Sequence, residues 1–466
     1  MIATLSIAAR NIRRNGRRSL MTVLAIMMGG IAVLLFGGYV SAIFYGLQTD
    51  IVRKTGHLHV FKTDFFQYGA GNPGAYGIDG YDRVIAAVTA DPVLKSMVRV
   101  VTPTQQVMGI AGNFTANVSK TFFGLGVVPA DRDRMREWNG FGLDVAAAAP
   151  TGLNDGDAEG GVIGQGLARI LHLCGALDVP RCQAPKAAQS VAVAVEGEPV
   201  IAADLIAADI SAGDASIDPR PRIELLGATA GGAPNVVSLR VTKAEGQGAR
   251  ELDESFVALH LDLAQQLLYG RADKKVSSIV IQLEHHADLK PARARLEAVF
   301  AETGLPLEVR EFTEINPMFN QVIAMFSAIF GFIAIIMAVI VLFTVINTMG
   351  MTVMERVNEI GTLRAIGVRR SGIRDQFLAE GWLLGVIGAT AGLAAGLALA
   401  GIVNRAGLTW TPPSNIDPIP LYLQVWGNSR LLAGCWVGLM LVATVSSLWP
   451  ANKAAKMVVV DALRHV

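Results

Sequence analysis

Charge is what this sequence has least of. Asp, Glu, Lys and Arg supply 17% of its 466 residues, where soluble domains carry about a quarter. The formal net charge is +1, so the chain has no face-sized basic surplus of the kind a nucleic-acid footprint needs. Signature motifs of catalysis are missing too. No G-x-x-x-x-G-K-[ST] occurs, which argues against a P-loop for phosphate. No G-x-S-x-G nucleophile elbow or H-E-x-x-H zinc site stands out. Cysteine is limited to three residues.

What fills the chain instead is apolar: hydrophobic residues make up 52% of it. Four uncharged runs, 20–49, 315–354, 381–404 and 431–452, each exceed the roughly 20 residues that cross a bilayer. Arginines give them a direction. Arg10, Arg13, Arg14, Arg17 and Arg18 precede the first run and place its start in the cytoplasm. Arg356, Arg364, Arg369, Arg370 and Arg374 fall on the same side after two crossings, and Lys453, Lys456 and Arg464 after four. The stretch 405–430 is nearly free of charge and rich in proline, as an outer loop would be. The first run is too long for a signal-peptide core despite the small residues Val40, Ser41 and Ala42, so it reads as a retained anchor.

These signals divide the chain. Residues 1–18 form a basic amphipathic lead-in, a topogenic charge cluster or a helix on the inner membrane surface. Span 1 covers 19–49 and an outer domain 50–314. Span 2 covers 315–354, a short helix 355–373, span 3 374–404, an outer loop 405–429, span 4 430–450 and a tail 451–466. In the outer domain, strand-like runs at 57–61, 98–101, 114–126 and 236–241 mix with helical patterns at 83–90, 165–173, 261–268 and 289–301, which predicts an α+β domain. A glycine-rich stretch at 68–81 reads as a surface loop, and the mixed charge run 131–137 as a solvated helix face or turn. His57, His59, His285 and His286 read as surface or strand residues rather than metal ligands.

The informative stretch is MERVNEIGTLRAIGVRRSGIR, residues 354–374. Val353, Val357, Ile360 and Leu363 recur at helical spacing, Gly367 stops the pattern, and Ser371 can cap the next helix. The result is a short amphipathic helix pinned between two spans, readable as a solvated loop or as a docking helix. Within span 3, Gly381, Gly385, Gly388, Gly392 and Gly396 repeat every three or four residues, as Gly434 and Gly438 do in span 4. Glycine at that spacing lets membrane helices approach, here by packing within one chain in preference to dimerisation. Glu380 stands at the edge of span 3. An ionisable group there wants a partner, and Arg364 and Arg374 are the candidates. Asn316 followed by Pro317 is a good helix start. A continuous helix over 317–354 would run about 55 Å, more than a bilayer core of about 30 Å requires. The surplus predicts a stalk whose apolar face (Met318, Phe319, Val322, Ile323, Phe326) packs on Tyr39, Phe44 and Leu47 or on a partner stalk.

The string R-V-N-E-I-G-T-L-R-A-I-G-V resembles the segment after the second span in MacB/LolC/FtsX-type permeases of ABC transporters. Stretches at 160–171, 251–268, 276–283 and 308–317 are similar to that family's periplasmic domain. The tail around 450–456 and 461–464 resembles the family's, with Val458 and Val459 where an acidic residue and a proline are usual. Residues 180–221 look like an insertion.

The resemblance implies a membrane protein of four transmembrane α-helices with a large α+β periplasmic domain between helices 1 and 2. It places the chain in a bacterial inner membrane, both termini cytoplasmic and in contact with membrane lipid. The coupling helix would comprise Arg356, Glu359, Ile360, Gly361, Leu363, Arg364, Ala365, Ile366 and Gly367. It would dock a dimer of separate cytoplasmic ABC ATPase subunits. The chain would then bind no cofactor directly, ATP-Mg acting through the partner, and would not itself be an enzyme. A second permease copy or related permease would complete the complex. The leading function is mechanotransmission for release of lipoprotein or other lipophilic cargo, with a periplasmic lipoprotein carrier or adaptor as further partner. The alternatives are peptide or drug efflux in a tripartite system and activation of a cell-wall hydrolase. An oxidising periplasm favours a disulfide between Cys174 and Cys182 over a metal site with His172. Cys435, inside span 4, reads as an apolar filler.

Overall fold

A computed structural model describes residues 2–69, 74–143, 149–180, 182, 218–270, 274–411 and 418–458. Most of the insertion at 180–221 and the final residues of the tail, Val459 among them, lie outside the described residues. The chain divides into two compact units. One contains Met1–Gln48, Asn316–Thr411 and Pro418–Val466, the other Thr49–Ile315 and Pro412–Asp417. In chain order the first elements are α1 (Ile2–Arg14), α2 (Gly16–Thr55), β1 (Leu58–Lys62), α3 (Tyr81–Ala90), β2 (Val98–Asn113), β3 (Val118–Val127) and α4 (Pro129–Arg136). There follow β4 (Gly160–Gly164), α5 (Gln165–Ile170), β5 (Arg222–Ala228), β6 (Pro234–Glu245), β7 (Phe256–His260), α6 (Leu261–Tyr269), β8 (Ser278–Leu283), α7 (Leu289–Thr303) and β9 (Leu307–Glu311). The chain closes with α8 (Pro317–Glu355), α9 (Val357–Ala365), α10 (Arg370–Arg405), the two-residue strands β10 (Thr409–Trp410) and β11 (Ile419–Pro420), and α11 (Ser429–Ala455).

In the helical unit, α2, α8, α10 and α11 are long and apolar enough to cross a membrane. Helix α8 has 39 residues and is therefore about 58 Å long, close to twice a bilayer core. Proline at its first position presets the backbone. Asn316 occupies the N-cap, but its side chain makes no capping bond, so proline and not Asn316 defines the start. Of the expected stalk face, Phe319 is buried against Phe44, ring centroids 6.1 Å apart. Met318 stays 70% exposed. Farther along, Phe330 stacks on Phe36 at 6.3 Å. The unit's core gathers Ile26, Leu34, Val341, Val345, Phe377, Leu439 and Ala443 from all four long helices.

The outer unit is a nine-stranded mixed sheet, ordered β3-β7-β4-β6-β5-β2-β8-β1-β9, in which β2 also pairs with β3. The long strand β2 therefore serves twice. Its first half (98–104) pairs with β8, while its second half pairs with β3 and β5 and closes a six-stranded circuit. The circuit encloses one core, including Val107, Leu167, Leu225, Leu239 and Leu263. Helices α3 and α7 cover β1, β8 and β9 over a second core. The run 114–126 is not one strand: a 3-10 turn at Phe114–Ala116 and left-handed Asn117 (φ 52°) interrupt it. Likewise the pattern at 165–173 stops at Ile170, two residues before left-handed His172 (φ 57°).

Of the alternatives read from the sequence, the structure keeps the helix for 131–137 and the strand for His59, and buries His57, His59 and part of the charge run. The charge run 131–137 lies mostly in α4, where Met135 is fully buried and Arg136 pairs with Glu245. His57 and His59 are buried as well. His57 Nδ1 accepts from the Leu283 amide at 3.1 Å, and its ring stands edge-on to Trp138 at 4.9 Å. Burial, with His286 close by, pushes the His57 imidazole down to about 3, and burial takes His59 to about 4.

Candidate coupling site

Helix α8 ends because Arg356 leaves the helical conformation (φ −98°, ψ 14°), and this break turns the arginine inward. Its Nη1 donates to Glu380 Oε1 at 2.9 Å, with the side chains 5% and 4% exposed. The same carboxylate oxygen accepts from Asn11 Nδ2 at 2.6 Å, and Arg356 Nη2 reaches the Asn11 carbonyl at 3.5 Å. Helices α1, α8 and α10 are thus tied by one buried charged cluster. Beside it lies a polar cavity of about 20 Å³ that also touches Asn15, Thr22 and Thr348, large enough for one water. Thr22 and Thr348 join hydroxyls at 2.9 Å across it.

Glu380 was expected to meet Arg364 or Arg374. It meets neither: Arg364 Nη1 donates to the Val368 carbonyl at 3.1 Å, and Arg374 pairs with its neighbour Asp375 at 3.3 Å. Ser371 is not a cap either, since α10 begins at Arg370 behind an Arg369 N-cap that makes no side-chain bond.

Helix α9 shows two faces. Val357, Ile360 and Gly361 are buried, and Leu363 packs partly against the same core. Asn358, Glu359, Thr362, Ala365 and Ile366 are exposed, Ile366 by 75%. Gly367 follows at φ +98°, a left-handed turn that a side chain would strain. The exposed face is stitched to the N-terminal region by a charge ladder. Arg14 pairs with Glu359 and Arg18 with Glu355.

Asn11, Arg14, Arg18 and Glu355 belong to this site although no local pattern singles them out. The partners lie more than 300 positions apart. One signal was available: Arg14 and Arg18 are four apart, and so are Glu355 and Glu359.

The span-3 glycines divide between two neighbours. A Cβ at Gly381 or Gly385 would strike Ser447 or Ala443 of α11, at 2.5 and 3.0 Å. At Gly388, Gly392 and Gly396 it would strike Ile26, Met27 and Leu34 of α2. All five serve close packing within the chain. Gly434 and Gly438 do not, having no atom within 4 Å of an added Cβ. They line an apolar groove of about 490 Å³ formed with Val33, Phe330 and Met337. In the outer unit Cys174 and Cys182 are joined as a disulfide with Cα atoms 5.9 Å apart, and Cys435 is buried. Among the described residues no group of three or more His, Cys, Asp or Glu could hold a metal ion.

The FtsX-like permease C-terminal family matches residues 331–459, a stretch that takes in most of α8, all of α9 to α11 and Glu380. An uncharacterized ABC transporter permease, YknZ of Bacillus subtilis, is 30% identical over 227 residues, 48% of this chain and 52% of that one. The macrolide export ATP-binding/permease protein MacB of Hyphomonas neptunium is 28% identical over 48% of this chain and 34% of its own. The lipoprotein-releasing system transmembrane protein LolC of Neisseria meningitidis is 26% identical over 51% of this chain and 57% of its own. The chain thus spans about half or less of the curated relatives it matches. The solved periplasmic region of MacB from Actinobacillus actinomycetemcomitans aligns at a TM-score of 0.30 and 12% identity, over 58% of this chain and 95% of that one, a likeness too slight to carry weight.

Proposed function

We propose that this chain, which carries an FtsX-like permease domain at residues 331–459, works as the membrane subunit of an ABC transporter. ATP is hydrolysed by separate cytoplasmic ATPase subunits, and a second permease completes the assembly. The observation that carries the reading is the two-faced helix α9. Its inner face is locked into the core and its outer face presents Glu359, Thr362, Ala365 and Ile366. Ile366, 75% exposed at the helix end, is the apolar side chain that this face would offer to a socket on the ATPase. Motion of the ATPases would reach α9 first, then α8 across the Arg356 hinge. Helix α8 begins directly after the outer unit ends at Ile315, and a rod of that length carries displacement along the chain without any pore. Lipoprotein or another lipophilic cargo is the favoured load, a reading that rests on the likeness to the lipoprotein-releasing LolC.

The test is reconstitution of the chain with its ATPase subunit. The chain alone should show no ATP hydrolysis. Ile366→Asp should cut co-purification and stimulated hydrolysis at least tenfold, while the melting temperature of the chain stays put. Ile366 is a cleaner probe than Glu359 or Arg364, whose side chains also hold Arg14 and the Val368 carbonyl. Wild-type hydrolysis with Ile366→Asp would sink the docking reading. Mass spectrometry of lipid and peptide retained by the complex reads the cargo.

A further inference from the structure

We propose that the outer unit carries a phosphate-binding cleft formed by Arg53, Lys54, Arg132 and Arg136, built to take the phosphate group of an anionic lipid or of free phosphate. The cleft has a volume of about 80 Å³, and its lining sets these four cations against two carboxylates, Asp50 and Glu245. Both carboxylates are already engaged. Lys54 Nζ lies 3.0 Å from Asp50 Oδ2, and Arg136 grips Glu245 with two nitrogens. Arg53 and Arg132 are left over. Among the described residues, no carboxylate oxygen lies within the 4.0 Å of an ion pair to either guanidinium. Each instead donates to a backbone carbonyl, Arg53 Nε to Trp138 at 2.7 Å and Arg132 Nη1 to Lys54.

Arg53 is 9% exposed. Asp50 stands near Arg53, and Glu245, Asp50 and Asp133 stand near Arg132, but none forms an ion pair with either guanidinium, so the cost of burying them is only partly offset. Burial and the neighbouring Arg136 hold the Arg132 guanidinium down to about 10, which records the same cost. A planar donor fork suits a phosphate, to which it can give two parallel bonds. The apolar wall of Val162, Phe256 and Ala258 lowers the local dielectric and strengthens such bonds.

Helix α2 carries the uncharged run 20–49 straight on to Arg53. A bilayer core of about 30 Å takes about 20 of those residues, so Arg53 stands about 20 Å beyond the core along the helix axis, past a flat headgroup layer. The phosphate therefore reaches the cleft free or on a lipid that has left the bilayer plane, and the two share the chemistry that the guanidiniums recognise. This inference does not depend on ATPase docking and stands or falls by itself.

The full chain in neutral detergent tests it. Phosphatidylglycerol and, separately, inorganic phosphate are titrated while binding is followed by native mass spectrometry and hydrogen exchange. Arg132→Gln should weaken binding at least tenfold. Arg134→Gln, on the same helix but exposed, should leave it unchanged. Hydrogen exchange in the wild-type chain should slow at residues 50–55 and in α4 on ligand addition, a readout that survives if Arg132→Gln misfolds. Binding of phosphatidylglycerol alone assigns a lipid headgroup, and binding of inorganic phosphate with the same variant pattern assigns free phosphate. If neither binds, if both variants weaken binding equally, or if bound ligand protects neither segment, the cleft is not a phosphate site.

Discussion

Replacing Glu380 with leucine should strike hard at the helical unit. The carboxylate is 4% exposed and takes hydrogen bonds from Arg356 and Asn11. Its loss strands a guanidinium that is 5% exposed and whose Nε already has no partner. Breaking a buried pair from one side costs about 3–5 kcal/mol, roughly two to three and a half powers of ten in the folded-to-unfolded ratio. Removing both ends together costs far less, since a well-packed apolar pair pays no desolvation. The double variant Arg356→Met, Glu380→Leu should therefore recover most of the loss. Asn11→Ala should cost about 1.5–3 kcal/mol, the worth of a hydrogen bond to a charge, and speed hydrogen exchange in α1. Unfolding of the full chain in detergent measures wild type, Arg356→Met, Glu380→Leu and the double variant as a double-mutant cycle, with Asn11→Ala alongside. Additive effects of the two single changes, with no recovery in the pair, would refute the lock. If the lock also relays motion as proposed, the rescued double variant should remain folded yet respond poorly to the proposed ATPase subunits.

Gly392→Ala should lower the melting temperature by an amount corresponding to about 1–3 kcal/mol, because the new methyl meets Met27 backbone atoms at 3.0–3.2 Å, whereas Gly438→Ala should be near neutral. Equal effects at the two positions would contradict the packing. Acid should loosen the outer unit by protonating unfolded histidine. His57 and His59 titrate near 3 and 4 when folded and near 6.5 when unfolded. Stability is then full above pH 6.5 and falls by about 2 kcal/mol per histidine by pH 5. Hydrogen exchange in β1 between pH 7 and 5 reads this, and a flat profile would show that neither histidine is buried neutral. Ser327→Pro should break α8 in its interior at about 3 kcal/mol or more; under the proposed mechanism it should leave assembly with the ATPase subunits intact while abolishing work at the outer unit. Normal cellular activity of that variant would remove the rod from the mechanism.

The parts of the molecule written as periodicity were legible in its sequence. The four long helices announce themselves by uncharged length, and α8 by Pro317 and by the charge at Glu355. The span-3 glycines announce close approach because only small residues recur there, but not that Gly381 and Gly385 face α11 while the other three face α2. What stayed hidden depends on contacts between distant residues. Arg356 lies 24 positions from Glu380, and no rule of spacing prefers it to Arg364, which is nearer. The direction of the arginine is set by the backbone break at its own position. Asn11 carries no pattern at all. Similarly, His59 sits on β1 and His57 just before it, and both are buried; alternation alone cannot show a second cover.

The ladder of Arg14 and Arg18 against Glu355 and Glu359 has an arithmetic consequence. Both rows are spaced by four residues and run in opposite directions, so they behave as a two-toothed rack. A slide of one helical turn, about 5.4 Å, disengages one tooth and re-engages the other, Arg18 with Glu359 or Arg14 with Glu355. These contacts are solvated and worth at most about 1 kcal/mol each, so the rack offers little resistance but favours whole-turn steps over fractional ones. The α1–α2 junction, which carries one arginine of the ladder on each side of Asn15, can therefore index along the α8–α9 junction in discrete notches once the buried lock behind it lets go.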